Sequence, residues 1–100
     1  MRRFEIDALR VAAAVAAVES TLGPDVTYIR WEFGPDWSTR MSLFFRVVLS
    51  DDACAHRLSE VARRVREALG GYALGDVFAY VNFRSESECK TVNDPEWQRS

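Results

Sequence analysis

The sequence has few of the residues that build metal or thiol-based catalytic centres. It contains one histidine, His56, and two cysteines, Cys54 and Cys89, which lie 35 positions apart. Zinc sites use closely spaced Cys and His ligands, so we expect no metal site. His56 follows Cys54 by two positions on a predicted helix, where only residues three or four apart share a side, so a Cys-His nucleophile pair is not expected. We predict reduced thiols rather than a disulfide.

Long apolar runs and lysine are also scarce. No apolar stretch reaches the length of a membrane span, and Glu5, Asp7 and Arg10 interrupt the alanine-rich N-terminal region, which argues against a cleavable leader. We therefore predict a cytoplasmic location and no membrane partner. Lys90 is the only lysine among 13 basic residues, and the formal net charge is −2, so the chain has no overall attraction to phosphate backbones. The arginine excess indicates either a functional bias or a GC-rich genome.

What remains is typical of one small globular domain. The chain has 100 residues, of which 48% are hydrophobic and 28% charged, enough for a single core. Its paired acids, Asp51-Asp52 and Glu86/Glu88, are explained by a helix start and by solubility. No glycine-rich phosphate loop precedes a predicted helix. We expect a protein that is not an enzyme and that uses no cofactor.

Apolar spacing predicts two helices. The first covers about residues 3–21, ends at Gly23-Pro24, and has an apolar stripe made of Phe4, Ala8, Val11, Val15, Val18 and Leu22. The second is capped by Ser50 and ends at Gly70-Gly71. Its stripe consists of Cys54, Leu58, Val61, Val65 and Leu69.

Three segments rich in β-branched and aromatic residues predict strands over residues 26–33, 41–49 and 77–84. The second segment is apolar in both phases, which indicates a central strand. Residues 34–39 form a turn cluster that predicts a flexible hairpin loop with Trp37 at its tip. In the first strand Val26, Tyr28, Arg30 and Glu32 share one phase, and Thr27, Ile29, Trp31 and Phe33 share the other.

The order α-β-β-α-β predicts an α+β fold, a two-layer sandwich whose three-stranded mixed sheet carries both helices on one face. A strand-helix-strand crossover is right-handed in nearly all known cases, which fixes the side that the second helix covers. We assign residues 1–84 to this single domain. Residues 85–100 are predicted to be a polar, loosely held C-terminal tail in which Trp97 docks.

The second face of the sheet is the candidate binding surface, because aromatic and guanidinium side chains share its phase. The candidate binding residues are Tyr28, Arg30, Trp37, Phe44, Arg46, Tyr80 and Arg84. Protein interfaces are enriched in Tyr, Phe and Arg, and single-stranded nucleic-acid binders use the same residues for stacking and phosphate contacts. Acidic neighbours and the negative net charge favour a protein partner. The predicted function is a non-catalytic interaction module, a homodimer, with single-stranded nucleic-acid binding as the alternative.

Two stretches of the chain, Leu43 to Leu49 and Tyr80 to Glu88, resemble short uncharacterised bacterial proteins. Such small proteins are often components of two-gene systems, including toxin-antitoxin pairs, which implies a protein partner. In element order the chain is also similar to the soluble domain of cation diffusion facilitator transporters and to type II KH-like proteins such as ribosome-binding factor A. The metal-binding histidines of the first and the glycine motif of the second have no counterparts here, and topology alone does not carry function.

Overall fold

In a computed structural model, residues 8–69, 77–92 and 94–98 are described. The elements are α1 (Ala8–Thr21), β1 (Val26–Pro35), β2 (Met41–Leu49), α2 (Asp51–His56), α3 (Leu58–Leu69), β3 (Phe78–Ser85), α4 (Glu86–Thr91) and a 3₁₀ turn (Pro95–Trp97). The predicted α+β class with a three-stranded mixed sheet is confirmed. The first residues of the predicted N-terminal helix and the predicted stop at Gly70-Gly71 lie outside the described residues.

The sheet has the order β1-β2-β3, so β2 is the central strand, as its two apolar phases predicted. β1 pairs with it antiparallel and β3 pairs with it parallel. The core phase of β2 is fully buried and consists of Leu43, Phe45, Val47 and Leu49. The helices α1 and α3 supply the opposite wall of this core, with Val11, Val15, Val18, Val61, Val65 and Leu69. Ala8, which was predicted to belong to the stripe of the first helix, is exposed.

A β-bulge near the start of β1 changes the predicted phase of one residue. Val26 pairs with Leu49 and Tyr28 pairs with Val48, so two residues of β1 oppose one step of β2. Val26 therefore joins the core, where it is 3% exposed, instead of sharing the second face with Tyr28. The prediction for Val26 was wrong because strict alternation takes no account of an extra residue.

The predicted second helix is two helices, α2 and α3, separated at Arg57. Arg57 has φ −136° and ψ 20°, which lies outside the helical range. Its guanidinium binds Asp25 at 2.7 Å and Asp52 at 2.6 Å, which ties the junction to the start of β1. The break changes which side chains face the core. Ala53 of α2 is buried, while Leu58, the first residue of α3, is exposed. The cap at Ser50 is confirmed, since its side chain accepts a hydrogen bond from Ala53 N.

The segment after β3 is folded, in contrast to the loosely held tail that was predicted. Ser85 caps α4, and Glu88 completes a capping box with it. The Trp97 side chain is 6% exposed and packs with Val48 and Cys89 on the second face of the sheet. The Ser85-x-x-Glu88 spacing is a helix-start signal that the sequence contains and that was missed. Among the described residues, no helix has both the length and the apolar character that a membrane crossing requires.

Candidate binding face of the sheet

The strand register confirms that the predicted strand residues share the second face, the one opposite α1 and α3. Arg30 lies opposite Arg46, and Phe44 lies opposite Tyr80. The face divides into two areas. We call Tyr28, Arg30, Arg46, Val48 and Arg84 the arginine half, and Trp37, Phe44, Phe78 and Tyr80 the aromatic patch.

The C-terminal segment covers the arginine half through its backbone carbonyls. Arg30 Nη1 donates hydrogen bonds to Pro95 O at 2.8 Å and to Gln98 O at 3.1 Å. The Tyr28 hydroxyl donates to Trp97 O. These contacts span more than 60 positions of sequence, so the segment is held against the sheet by groups that a search for local motifs cannot connect.

Acidic side chains engage the other two arginines of this half. Arg46 Nη1 lies 2.7 Å from Glu32 Oε1, and its Nη2 lies 2.8 Å from Glu96 Oε2, which leaves the Arg46 side chain 15% exposed. The Arg84 guanidinium carbon lies 4.5 Å from the centroid of the Trp97 ring, a cation-π contact, and Arg84 Nη1 lies 3.6 Å from Asp94. The three predicted arginines therefore bind groups of their own chain.

The aromatic patch occupies the rest of the face and centres on Tyr80. The Phe44 ring stacks on it with centroids 5.3 Å apart and an interplanar angle of 17°. Phe78 lies 6.5 Å away on the same strand, and Trp37 approaches from the hairpin loop at 5.6 Å with a tilt of 58°. These separations are within the range of favourable ring-ring contacts. The patch therefore joins two strands and the loop between β1 and β2.

The outer rings of the aromatic patch are open to solvent. Trp37 is 83% exposed and Phe78 is 52% exposed, although both contact Tyr80. Arg40 places its guanidinium carbon 3.6 Å from the centroid of the Phe78 ring. Its Nη2 also donates to the Tyr80 hydroxyl at 3.3 Å. The patch thus presents large apolar rings beside one cationic group.

A buried carboxylate holds the hairpin loop that carries Trp37. Asp36 Oδ1 accepts hydrogen bonds from Ser38 N at 2.8 Å and from Ser38 Oγ at 2.7 Å, and its Oδ2 accepts from the Tyr80 hydroxyl at 3.0 Å. Arg40 N and Ser42 Oγ donate to the same carboxylate. Thr39 adopts a left-handed φ of 67°, which closes the loop. A set of donors on one carboxylate therefore connects the hairpin loop to Ser42 and Tyr80. The flexibility of the loop stays a prediction.

These donors hold the pKa of Asp36 well below its ordinary value, with the Ser38 hydroxyl as the largest contributor and with burial opposing it. A lowered pKa means that the folded state favours the ionised carboxylate. Its contribution to stability is complete above the ordinary pKa of 3.8 and is lost as the pH falls toward the lowered pKa.

We expect Asp36→Asn to lower the melting temperature at pH 7. As the pH falls below about 4, the melting temperature of Asp36→Asn should fall less than that of the wild type. Asparagine keeps the size of the side chain but cannot hold the charge that Arg40 and the Tyr80 hydroxyl bind. Circular dichroism melts at stepped pH measure this difference. Glu60→Gln, at an exposed acid on α3, is the control. A constant gap between wild type and Asp36→Asn across the acid range would contradict the assignment.

Three residues of this site were absent from the predicted set: Asp36, Arg40 and Phe78. Phe78 shares the phase of Tyr80, so the alternation places it on the second face, although the candidate binding residues did not include it. Asp36 and Arg40 carry no such signal, because their roles depend on the Tyr80 hydroxyl, which lies 44 positions from Asp36 in the chain. Trp37, in contrast, is placed at the patch as predicted from its position in the turn cluster.

The thiols lie outside the aromatic patch: Cys89 packs beside Val48 in the arginine half, and Cys54 packs against the core. Burial is the largest factor that raises the pKa of both Cys54 and Cys89, which lowers the thiolate fraction at neutral pH. Within the described parts of the chain, no group of three His, Cys, Asp or Glu side chains is arranged to hold a metal ion. Comparisons of the chain with protein-family models, with curated proteins and with solved structures found no match.

Proposed function

We propose that this chain is a non-catalytic protein-protein interaction module whose contact surface is the aromatic patch. The observation that carries the proposal is that Trp37 and Phe78 are exposed and cluster around the Tyr80 ring. Exposed apolar clusters on small proteins mark interaction sites, and Trp, Tyr and Arg are the residues that most often dominate binding energy. Arg40 adds a cation at the margin of the patch.

The hydrogen bonds of the loop support this proposal. Binding normally costs conformational entropy when exposed side chains and loops become ordered. The Asp36 carboxylate already connects the loop in the free protein with Ser38, Ser42 and the Tyr80 hydroxyl. A partner would therefore meet a loop that is already hydrogen-bonded to the sheet.

The nucleic-acid alternative has weaker support. A single-stranded nucleic-acid site combines aromatic platforms with cations that are free to meet phosphates. Here Arg30, Arg46 and Arg84 bind carbonyls, carboxylates and the Trp97 ring of their own chain. Glu32 and Glu96 also stand exposed beside the patch and would repel phosphates. Salt-dependent binding to mixed oligonucleotides would favour this alternative over the protein partner.

We propose that this chain and its partner are the two components of a two-gene system, because the chain resembles small bacterial proteins that often belong to such systems. A cytoplasmic location remains a prediction, which the free thiols Cys54 and Cys89 suit. Homodimerisation also remains a proposal. The C-terminal segment covers the arginine half of the face that was expected to mediate it, so self-association would use the aromatic patch or another surface.

The test is partner binding by patch variants. The chain is co-expressed with the product of each neighbouring gene, and the affinity of a copurifying pair is measured by calorimetry. We expect Trp37→Ser and Phe78→Ser each to weaken binding by about 2 kcal/mol, roughly 30-fold, because central aromatic anchors carry most of the binding energy.

Leu9→Ser is the matched control, because Leu9 is 84% exposed, as Trp37 is 83% exposed, but lies on α1. It should bind as tightly as the wild type. Unchanged affinity in both patch variants, with their folding verified by circular dichroism, would remove the aromatic patch as the contact surface.

A further inference from the structure

The two edges of the sheet differ in how they are protected. At the β1 edge, Ile29 N donates a hydrogen bond to Glu19 Oε2 at 2.8 Å, so a side chain of α1 occupies that backbone group. The bulge at the start of β1 and Pro35 at its end interrupt the edge further. Capping, bulges and proline are the devices by which proteins prevent edge strands from pairing with other chains.

Within the described strand β3, none of these three devices is present. Phe78–Ser85 contains no proline, glycine or lysine, and it pairs with β2 without a register shift. Among residues 8–69, 77–92 and 94–98, no strand pairs with the other side of β3. A regular eight-residue edge of this kind is a template for another strand.

A groove of about 660 Å³ runs along this edge between β3 and α3. Three consecutive residues of β3, Val81 to Phe83, line it. Val81 and Phe83 are only partly buried, although their phase faces the core. The groove therefore leaves apolar surface open beside the outer edge of β3.

The rim of the groove carries both signs of charge. Arg63, Arg66 and Glu67 of α3 line it, and Arg63 binds Glu67 within the same helix. A twofold axis at the β3 edge would place two copies of α3 antiparallel on either side of it, so that two rims, each with basic and acidic side chains, face each other. A surface that complements itself in this way is what an isologous contact requires.

We infer that two copies of this chain associate through antiparallel pairing of their β3 edges, which joins the two sheets into one of six strands. We assign the groove to a second copy because the basic and acidic side chains of one rim can pair with those of the same rim on the other copy. The inference specifies the homodimer of the proposed function, and it does not depend on the aromatic patch.

The test is a charge exchange across the twofold axis, read by sedimentation velocity over a dilution series. Glu67→Arg makes the rim wholly basic, and the double variant Arg63→Glu, Arg66→Glu makes it wholly acidic. Like charges then face each other, so we expect each variant alone to self-associate roughly tenfold or more weakly than the wild type. An equimolar mixture of the two should recover dimers, because both contacts become attractive.

Arg64→Glu is the matched control, because Arg64 lies on the same helix but lines the groove against α1. It should associate as the wild type does, and so should Trp37→Ser. A wild type that stays monomeric up to about 1 mM overturns the inference, as does a mixture that fails to recover dimers. Loss of dimers in Trp37→Ser alone would instead place self-association at the aromatic patch.

Discussion

Replacing Trp97 with alanine should lower the free energy of unfolding by about 3–5 kcal/mol, the range seen when a large buried aromatic is truncated. The ring is 6% exposed and packs on Val48 and Cys89. Its loss also removes the cation-π contact with Arg84. The effect is large because the buried ring adds apolar contact to the hydrogen bonds and ion pairs that hold the segment after α4 against the sheet.

Urea denaturation of the wild type and of Trp97→Ala measures this change, and Trp97→Phe should recover most of it. Val92→Ala is the control, since Val92 lies in the same segment but is exposed. The uncovered face adds a second readout, because Cys89 should react faster with an alkylating agent in Trp97→Ala. A loss below about 1 kcal/mol, within the range of ordinary surface substitutions, would show that the segment does not depend on this anchor.

Phe45→Asp should yield no folded protein under native conditions. Phe45 is fully buried in the middle of β2, and an unpaired carboxylate there adds a desolvation cost of several kcal/mol to the loss of the ring. A domain of this size has a total stability of about 5–15 kcal/mol, so the combined loss consumes most or all of it. Circular dichroism and the dispersion of amide signals in proton NMR report the outcome.

Phe44→Asp provides the neighbouring comparison, because Phe44 is the preceding residue on the same strand and faces the aromatic patch. It should stay folded and lose only patch contacts. Val81 shares the core phase of β3 but lies partly exposed at the β3 groove, so Val81→Asp should have a smaller effect than Phe45→Asp. A folded Phe45→Asp protein would contradict the placement of Phe45 in the core.

The architecture could be predicted from the sequence because it depends on periodic patterns. The two apolar phases of residues 41–49 identified the central strand, and the alternation in residues 77–84 placed Tyr80 and Arg84 on one face. The errors arose where one residue interrupts the alternation of a strand or the repeat of a helix. Val26 moved to the core because of the bulge, and Arg57 divided a helix because its side chain binds Asp25.

The candidate site could be predicted only in part, for a related reason. Strand phase brought Phe44, Tyr80 and the arginines together, but it could not show which of them stay open. That depends on the C-terminal segment, whose contacts with Arg30 and Tyr28 link residues more than 60 positions apart. The capping box at Ser85 signals a helix, although it does not signal where that helix packs.

The Tyr80 hydroxyl links the two surfaces discussed above. It belongs to β3, the strand whose outer edge we assign to self-association, and it donates to the Asp36 carboxylate in the Trp37 loop. The outer strand of the sheet and the loop that carries Trp37 are therefore joined through a single hydroxyl group.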